Sequence, residues 1–174
     1  MNILQLCCFT DLWHSMHEIC SIDLKTGNNV LDLADDFGRE FDLIVSAPPC
    51  TQFTKANSHA WSKNPELYIA IAKKCFTISI LSGTFWLLEN PPGRIETFIP
   101  ALTSYRMLTW HGYRTNKEYV VYSNFLILSY GRRYGKQSVS NYSKRVAEKW
   151  QPDFIADIER SLPCELVKCS PFFD

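Results

Sequence analysis

The amino-acid sequence predicts an α/β fold built on a parallel sheet. Two short apolar runs, residues 41–46 and 83–88, are rich in β-branched or aromatic side chains and lead into proline-containing loops, which is typical of buried core strands. The segment 64–81 between them has helical apolar spacing, with Asn64 as a candidate cap and Pro65 at the first helical position. We therefore expect a strand, a crossover helix and a second parallel strand.

The two loops that follow these strands carry the most informative residues. Residues 47–54 read Ala-Pro-Pro-Cys-Thr-Gln-Phe-Thr and contain Cys50, and residues 89–93 read Glu-Asn-Pro-Pro-Gly and begin with Glu89. Ligands bind in the crevice outside the carboxyl ends of parallel strands, so Cys50 and Glu89 are expected to face the same crevice. The two prolines before Cys50 stiffen its loop because their φ angles are locked.

A thiol beside a carboxylate suits attack on a cytosine ring. Carbon 5 of cytosine is not nucleophilic enough to take a methyl group unaided. A thiolate that adds to carbon 6, while an acid hydrogen-bonds or protonates ring nitrogen 3, turns carbon 5 into an enamine-like carbanion. Each loop alone is also typical of ordinary structure, either a buried cysteine or a strand-end turn. Their occurrence together, after two predicted strands, favours the chemical interpretation.

The sequence Pro-Pro-Cys-Thr-Gln-Phe-Thr at 48–54 resembles the nucleophile motif of the DNA cytosine-5 methyltransferases, and Glu-Asn-Pro at 89–91 resembles their cytosine-binding motif. The similarity spans roughly residues 1–127 and looks closest to the short versions found in bacteriophages and prophages. This resemblance implies a Rossmann-like class I methyltransferase sheet in a three-layer α/β/α domain. It also implies that Cys50 is the nucleophile and that Glu89 holds nitrogen 3 of the base.

The resemblance further implies a cofactor, S-adenosylmethionine, and a set of contacts. An early strand is expected to end at Ile22. The cofactor-binding residues that the resemblance implies are Asp23 at the ribose, Asp32 on the adenine side, and Pro48. Residues 110–125 look like the hairpin that follows the catalytic loops in the phage versions. The substrate residues that the resemblance implies are Gln52, Asn90 and Lys117.

The chain departs from the family in the loop after its first strand. There the family has Phe-x-Gly-x-Gly-Gly, whose glycines let the backbone approach the cofactor closely, whereas this chain has Phe9, Asp11 and Leu12 at the glycine positions. Three alternatives stay open: an altered but working site for the methionine donor, a different one-carbon donor, or a cofactor site lost to another role. Under the third, the protein is a methyltransferase-like binding protein, such as a regulatory partner or a decoy.

The length and net charge of the chain limit how it can bind nucleic acid. A chain of 174 residues, 46% of them hydrophobic, suits one catalytic domain over 1–174 without a large target-recognition domain. The 18 basic and 18 acidic residues cancel, so DNA affinity has to come from a local patch. The candidate is the loop 128–146, where cations including Arg132 and Arg133 alternate with aromatics; a plain solvated loop is the alternative.

The resemblance implies DNA as substrate, with single-stranded DNA or a free nucleotide as alternatives. Because a net charge of zero predicts weak binding of DNA, an oligomer or a partner chain is expected to complete the groove. Seven cysteines without regular pairing, no signal peptide and no membrane-length apolar run predict a cytoplasmic protein, in the host cytoplasm if it is phage-encoded, with no membrane partner.

Two further segments have an expected structure. The spacing of His14, His17 and Cys20 by three places them on one side of an expected helix. The chain has no Cys-x-x-Cys pair there, so we expect no metal. Residues 150–159 are predicted to form a closing helix.

Overall fold

The chain is an α/β protein, and its computed structural model describes residues 1–8, 17–50, 53, 64–99, 104–109, 117–127 and 152–163. The described strands form one mixed six-stranded sheet. They are β1 (Asn2–Leu6), β2 (Glu18–Ile22), β3 (Leu43–Ser46), β4 (Phe85–Asn90), β5 (Ser104–Thr109) and β6 (Lys117–Ser123). The helices are α1 (Pro65–Leu81), α2 (Ile95–Phe98) and α3 (Pro152–Ser161), with short 3₁₀ helices at Leu24–Thr26, Val30–Asp32 and Phe37–Glu40.

The strand order in the sheet is β2-β1-β3-β4-β6-β5. Strands β1 to β4 pair in parallel, whereas β6 runs antiparallel to both β4 and β5. The chain therefore moves outward from β1 to β2, then crosses to the other side of β1 to lay down β3 and β4. A reversal of this kind opens a crevice at the carboxyl ends of β1 and β3, which is where α/β sheets bind ligands.

Alternating side chains give the sheet two apolar faces. One face packs against α1 in a cluster that includes Leu4, Ile44, Cys75, Ile78 and Leu88. The opposite face packs against α3 in a cluster that includes Ile3, Val45, Leu87, Val121 and Ile158. Because strand side chains alternate, β1, β2, β3, β4 and β6 each contribute to both clusters. The described helices thus cover the sheet from both sides.

Several predicted elements are confirmed. The crossover helix α1 begins at Pro65, where a locked φ favours the first helical turn, and it ends at Leu81. Asn64 occupies the position before it, but its backbone is left-handed, with φ of 59°, and its side chain makes no capping hydrogen bond. The closing helix is α3, which starts and ends two residues later than predicted.

Two sequence predictions differ from the structure. The second core strand was expected to end at residue 88, but β4 continues to Asn90 because Glu89 and Asn90 pair with Val121 and Val120 of β6. The helix expected around Cys20 is wrong, since this residue lies in β2 and pairs with β1. Sheet pairing outweighs the three-residue spacing of polar side chains there. His14 lies outside the described residues.

Among the helices that the structure describes, none combines the length and the apolar character needed to cross a membrane.

Candidate functional site

The candidate site lies at the carboxyl ends of two adjacent parallel strands. Ser46, the last residue of β3, is in register with Leu88 of β4. Cys50 follows Ser46 in the next loop, and Glu89 follows Leu88 directly. Cys50 is therefore in the loop that leaves this edge of the sheet, and Glu89 is one of the last two residues of β4 at the same edge, as the predicted strand-helix-strand unit requires.

A buried hydrogen bond joins these two segments. The side-chain amide Nδ2 of Asn90 donates to the carbonyl oxygen of Pro48 at 2.7 Å, and Asn90 is only 1% exposed. Its Oδ1 is buried and has no hydrogen-bond partner among the residues that the structure describes. A buried carbonyl needs a hydrogen-bond donor. Asn90 supplies one to Pro48, which lies two residues before Cys50. In the described part of the chain, Asn90 holds the thiol loop; its predicted contact with substrate stays a prediction.

The loop is fixed on the other side of Cys50 as well. The carbonyl of Cys50 accepts a hydrogen bond from the amide of Phe53, whose own carbonyl accepts one from the amide of Arg94, both at 2.9 Å. Phe53 is fully buried, and its ring centre is 6.3 Å from that of Phe98 in α2. Before the loop, the amide of Ala47 donates to the end of β1. The segment containing Cys50 is therefore tied to three elements.

The sequence analysis did not identify Phe53 or Arg94 as part of this site. A signal was available, because Phe53 is an aromatic residue between two threonine-containing polar stretches. An aromatic side chain in a short loop gains free energy by burial, so it indicates an anchor. The backbone amide of Arg94 gives no signal in sequence, since every residue except proline carries one.

Burial separates the thiols near this edge into two kinds. Cys50 is half-buried. Cys8 is 6% exposed, and its burial, followed by the charges of Cys7, Glu89 and Asp23, raises the pKa of its thiol well above the ordinary value. A thiol with a raised pKa is a poor nucleophile at neutral pH. Of these two, Cys50 is the one suited to attack.

Glu89 lies inside the sheet rather than in a loop. It is 6% exposed, in register with Val121 of β6. By strand alternation it shares the face of Leu87, which packs in the same cluster as Cys8. In surroundings with little competing water, a hydrogen bond from a carboxyl group is stronger than in solution. This environment suits a group that must hold one ring nitrogen in a fixed direction.

Of the residues implied for the cofactor, Asp23 has the most fitting position. It follows β2 directly, beside β1, and an acidic residue at the end of this strand commonly holds ribose hydroxyls in nucleotide-binding sheets. Its Oδ1 accepts a hydrogen bond from the amide of Lys25 at 2.8 Å, which caps a 3₁₀ helix. Asp32 is exposed at the end of the next 3₁₀ helix. Pro48 is buried, with its carbonyl bonded to Asn90.

The remaining predicted residues are only partly covered by the structure. Lys117 is the first residue of β6, in register with Thr109 of β5. The hairpin was expected over 110–125; β6 falls within that range, whereas its antiparallel partner β5 lies before it. Those that lie outside the described residues are Gln52, Arg132, Arg133, the loop 128–146, and the first-loop residues Phe9, Asp11 and Leu12.

The chain was compared with known proteins at two levels. No protein-family model matches it, and no curated protein matches it either. Function therefore has to be inferred from the residues and geometry of this site.

Proposed function

We propose that the protein is a cytosine carbon-5 modifying transferase, similar to the DNA cytosine-5 methyltransferases, that acts through a covalent adduct between Cys50 and the base. One observation carries the proposal, the hydrogen bond from Asn90 to the carbonyl of Pro48. It joins the loop that holds a half-buried cysteine, Cys50, to the strand end that holds a buried carboxyl group, Glu89. These are the two groups that the chemistry needs.

The arrangement of the sheet supports a Rossmann-like class I methyltransferase domain. The order reverses between β1 and β3, and helices cover both faces. With such an order, the crevice has two halves. The ends of β1 and β2 carry Asp23 and form the donor half, while the ends of β3 and β4 carry Cys50 and Glu89 and form the base half.

The proposed reaction balances with these two side chains. The thiolate of Cys50 adds to carbon 6, and the electron pair of the 5,6 double bond moves into the ring while Glu89 hydrogen-bonds or protonates nitrogen 3. Carbon 5 then takes the methyl group. Water then takes the proton from carbon 5, and any proton on nitrogen 3 returns to Glu89. The 5,6 double bond is restored, and the sulfur of Cys50 leaves as a thiolate. S-adenosylmethionine, when bound, supplies the electrophilic methyl group as part of a sulfonium.

The proposed substrate is DNA with the target cytosine turned out of the helix. In a duplex, stacking hides both faces of the ring from a thiolate, so the base has to leave the stack. Single-stranded DNA removes that cost, and a free nucleotide removes the need for phosphate contacts along a strand. Comparing the three substrates in one assay identifies which is used.

The test of the proposal is adduct formation with DNA that carries 5-fluorocytosine. Fluorine at carbon 5 cannot leave as a proton does, so the adduct accumulates once the methyl group has been transferred. With donor present, we expect a denaturation-resistant protein–DNA complex for the wild type and for Cys20→Ala, which removes another half-buried thiol. Cys50→Ala should form none, and a complex with that variant would refute the assignment.

A second candidate is a methyltransferase-like binding protein without catalysis. Phe9, Asp11 and Leu12 at the glycine positions favour it, because the family's glycines let the backbone approach the cofactor closely and these residue types carry side chains. This candidate predicts DNA binding without any adduct, whichever one-carbon donor is supplied. A reduced folate in place of S-adenosylmethionine tests the intermediate case, in which the chemistry persists with another donor.

A further inference from the structure

Two thiols from distant parts of the sequence meet where β1 ends against α1. The sulfur atoms of Cys7 and Cys75 are 3.9 Å apart, although 68 positions separate the residues. Cys7 follows β1 directly and is half-buried, whereas Cys75 lies in the middle of α1 with no exposed surface. Neither thiol has a part in the proposed transfer reaction.

The backbone holds Cys7 in an unusual conformation at this point. Its φ is 57°, in the left-handed region that residues other than glycine seldom adopt. Its amide donates to the carbonyl of Ile22 at 2.8 Å, which continues the pairing of β1 with β2. With the backbone fixed in this way, the Cys7 side chain packs against the cluster that contains Cys75. The proximity of the two sulfurs is therefore built into the end of β1.

We propose that Cys7 and Cys75 form an oxidisable dithiol that reacts with small-molecule disulfides and closes a cross-link between the end of β1 and α1. This inference is independent of the proposed transferase activity. The two sulfurs are already in van der Waals contact, and a disulfide needs them to approach by a further ~2 Å. Changes in side-chain rotamer are the first motion available for that approach.

The reaction proceeds by two exchanges. The thiolate of Cys7 attacks one sulfur of the small disulfide, which releases one small thiol and leaves a mixed disulfide on Cys7. The sulfur of Cys75 then attacks the Cys7 sulfur, loses its proton and releases the second small thiol. Two protein thiols are oxidised to one disulfide, and one external disulfide is reduced to two thiols.

Exposure sets the order of these two steps. Cys75 is fully buried, so an external disulfide meets Cys7 first. The hydrogen bond with Cys7 and the burial of the sulfur raise the pKa of the Cys75 thiol well above its ordinary value. Cys75 is accordingly the poorer attacking thiol toward an external disulfide at neutral pH. Cys7 therefore acts as the attacking thiol and Cys75 as the resolving one.

The cross-link would act on the edge of the crevice. Cys7 follows β1 directly, between the carboxyl ends of β2 and β3. A bond to α1 there restrains Cys7 and its neighbour Cys8. It also restrains the unfolded chain over a long separation, which favours the folded state.

Oxidised glutathione and peptide mapping by mass spectrometry test the proposal on the full chain. In native buffer, we expect the wild type to yield one Cys7–Cys75 cross-linked peptide, two hydrogen atoms lighter than the two reduced peptides together. The control Cys20→Ser should do the same, because Cys20 is a half-buried thiol of the neighbouring strand β2. Cys75→Ser should instead retain glutathione on Cys7. Oxidation should raise the thermal midpoint of the wild type and of Cys20→Ser, and a reductant should reverse the rise.

Two outcomes would overturn the proposal. One is a wild type that keeps glutathione on Cys7 under native conditions, and the other is a cross-link that joins Cys7 to a cysteine other than Cys75. If Cys75→Ser does not fold by circular dichroism, Cys7→Ser replaces it. In that variant, Cys75 should stay unmodified, and modification of Cys75 at the wild-type rate would also refute the order of the two steps.

Discussion

The side-chain amide of Asn90 lies 2.7 Å from the carbonyl oxygen of Pro48, and the two residues belong to different segments at one edge of the sheet. Both are buried. The bond makes the position of the Cys50 loop depend on the end of β4. Any residue of β4 that contacts the base is thereby held in register with the thiol. For a reaction that needs sulfur and acid on one ring at the same time, this coupling provides the orientation.

Replacing Asn90 with alanine should disturb Cys50 without abolishing the fold. The variant leaves the buried carbonyl of Pro48 without its donor, which costs about 1–3 kcal/mol of unfolding free energy. We expect denaturant unfolding to show that loss, and the rate at which iodoacetamide alkylates Cys50 to change because the loop is released.

The chain offers a matched control for Asn90→Ala. Asn124 also uses its side-chain amide to hold backbone, donating to Thr84 at 2.7 Å and accepting from Trp86 at 2.9 Å, but at the opposite end of β4. Asn124→Ala should lose stability while leaving the alkylation of Cys50 as in the wild type. Equal effects of the two variants on Cys50 would mean that the Asn90 bond does not orient the thiol.

Glu89→Gln should keep the fold and slow the reaction. Glutamine can accept a hydrogen bond at nearly the same place but cannot give a proton to nitrogen 3. Because positioned acid catalysis contributes about 10²–10⁴-fold, we expect the single-turnover rate to fall by about a hundredfold or more. Glu18→Gln is the control, since Glu18 is exposed at the amino end of β2. Wild-type rates for Glu89→Gln would remove the acid from the mechanism.

Gly38→Ala should destabilise the protein through overpacking. A Cβ atom at Gly38 would lie 2.4 Å from Cδ1 of Ile44 and 3.0 Å from Cβ of Ser82. Ile44 is fully buried in β3, so its side chain has little room to move, and such overpacking costs about 1–3 kcal/mol. Chemical denaturation should show this decrease in the free energy of unfolding.

Gly27→Asn serves as the comparison for that variant. Gly27 has φ of 83° with open space around its Cβ position, and asparagine tolerates the left-handed region better than other side chains. The free energy of unfolding of Gly27→Asn should therefore stay closer to that of the wild type than the value for Gly38→Ala does. If Gly38→Ala is as stable as Gly27→Asn, the packing of the 3₁₀ segment on β3 is looser than the contacts indicate.

The sequence was sufficient to predict the elements whose signal is local. The apolar spacing of 64–81 and the proline at its start indicate α1, and the run before Cys50 indicates β3. Glu89 was expected in a loop because its place in β4 depends on a partner strand more than 25 residues later in the chain. Cys20 was assigned to a helix for the same reason, since pairing with β1 decides its conformation.

The residues of the candidate site could be predicted from the sequence, but the hydrogen bond that joins its two segments could not. The motif residues Cys50 and Glu89 can be identified from the two loops and their preceding strands. The bond between Asn90 and Pro48 cannot, because asparagine after glutamate is equally suited to a turn. Only the register between β3 and β4 brings the amide to that carbonyl.

The last prediction concerns the residues that follow β1 and the affinity of the chain for the methyl donor. Phe9, Asp11 and Leu12 add bulk and a negative charge where the family has glycines. The isolated chain should therefore bind S-adenosylmethionine weakly, or only with DNA or a partner chain present. Asp23 and Asp32 remain available to hold the adenosine. The carboxylate of Asp11 would repel the carboxylate of the donor, and two like charges about 4 Å apart in water repel by about 1 kcal/mol. Asp11→Asn should therefore tighten donor binding roughly fivefold by calorimetric titration, whereas Glu40→Gln, at an exposed acidic residue, should not. Tight binding by the isolated wild type, with the donor seated over residues 9–13, would contradict this and indicate an ordinary methyltransferase site.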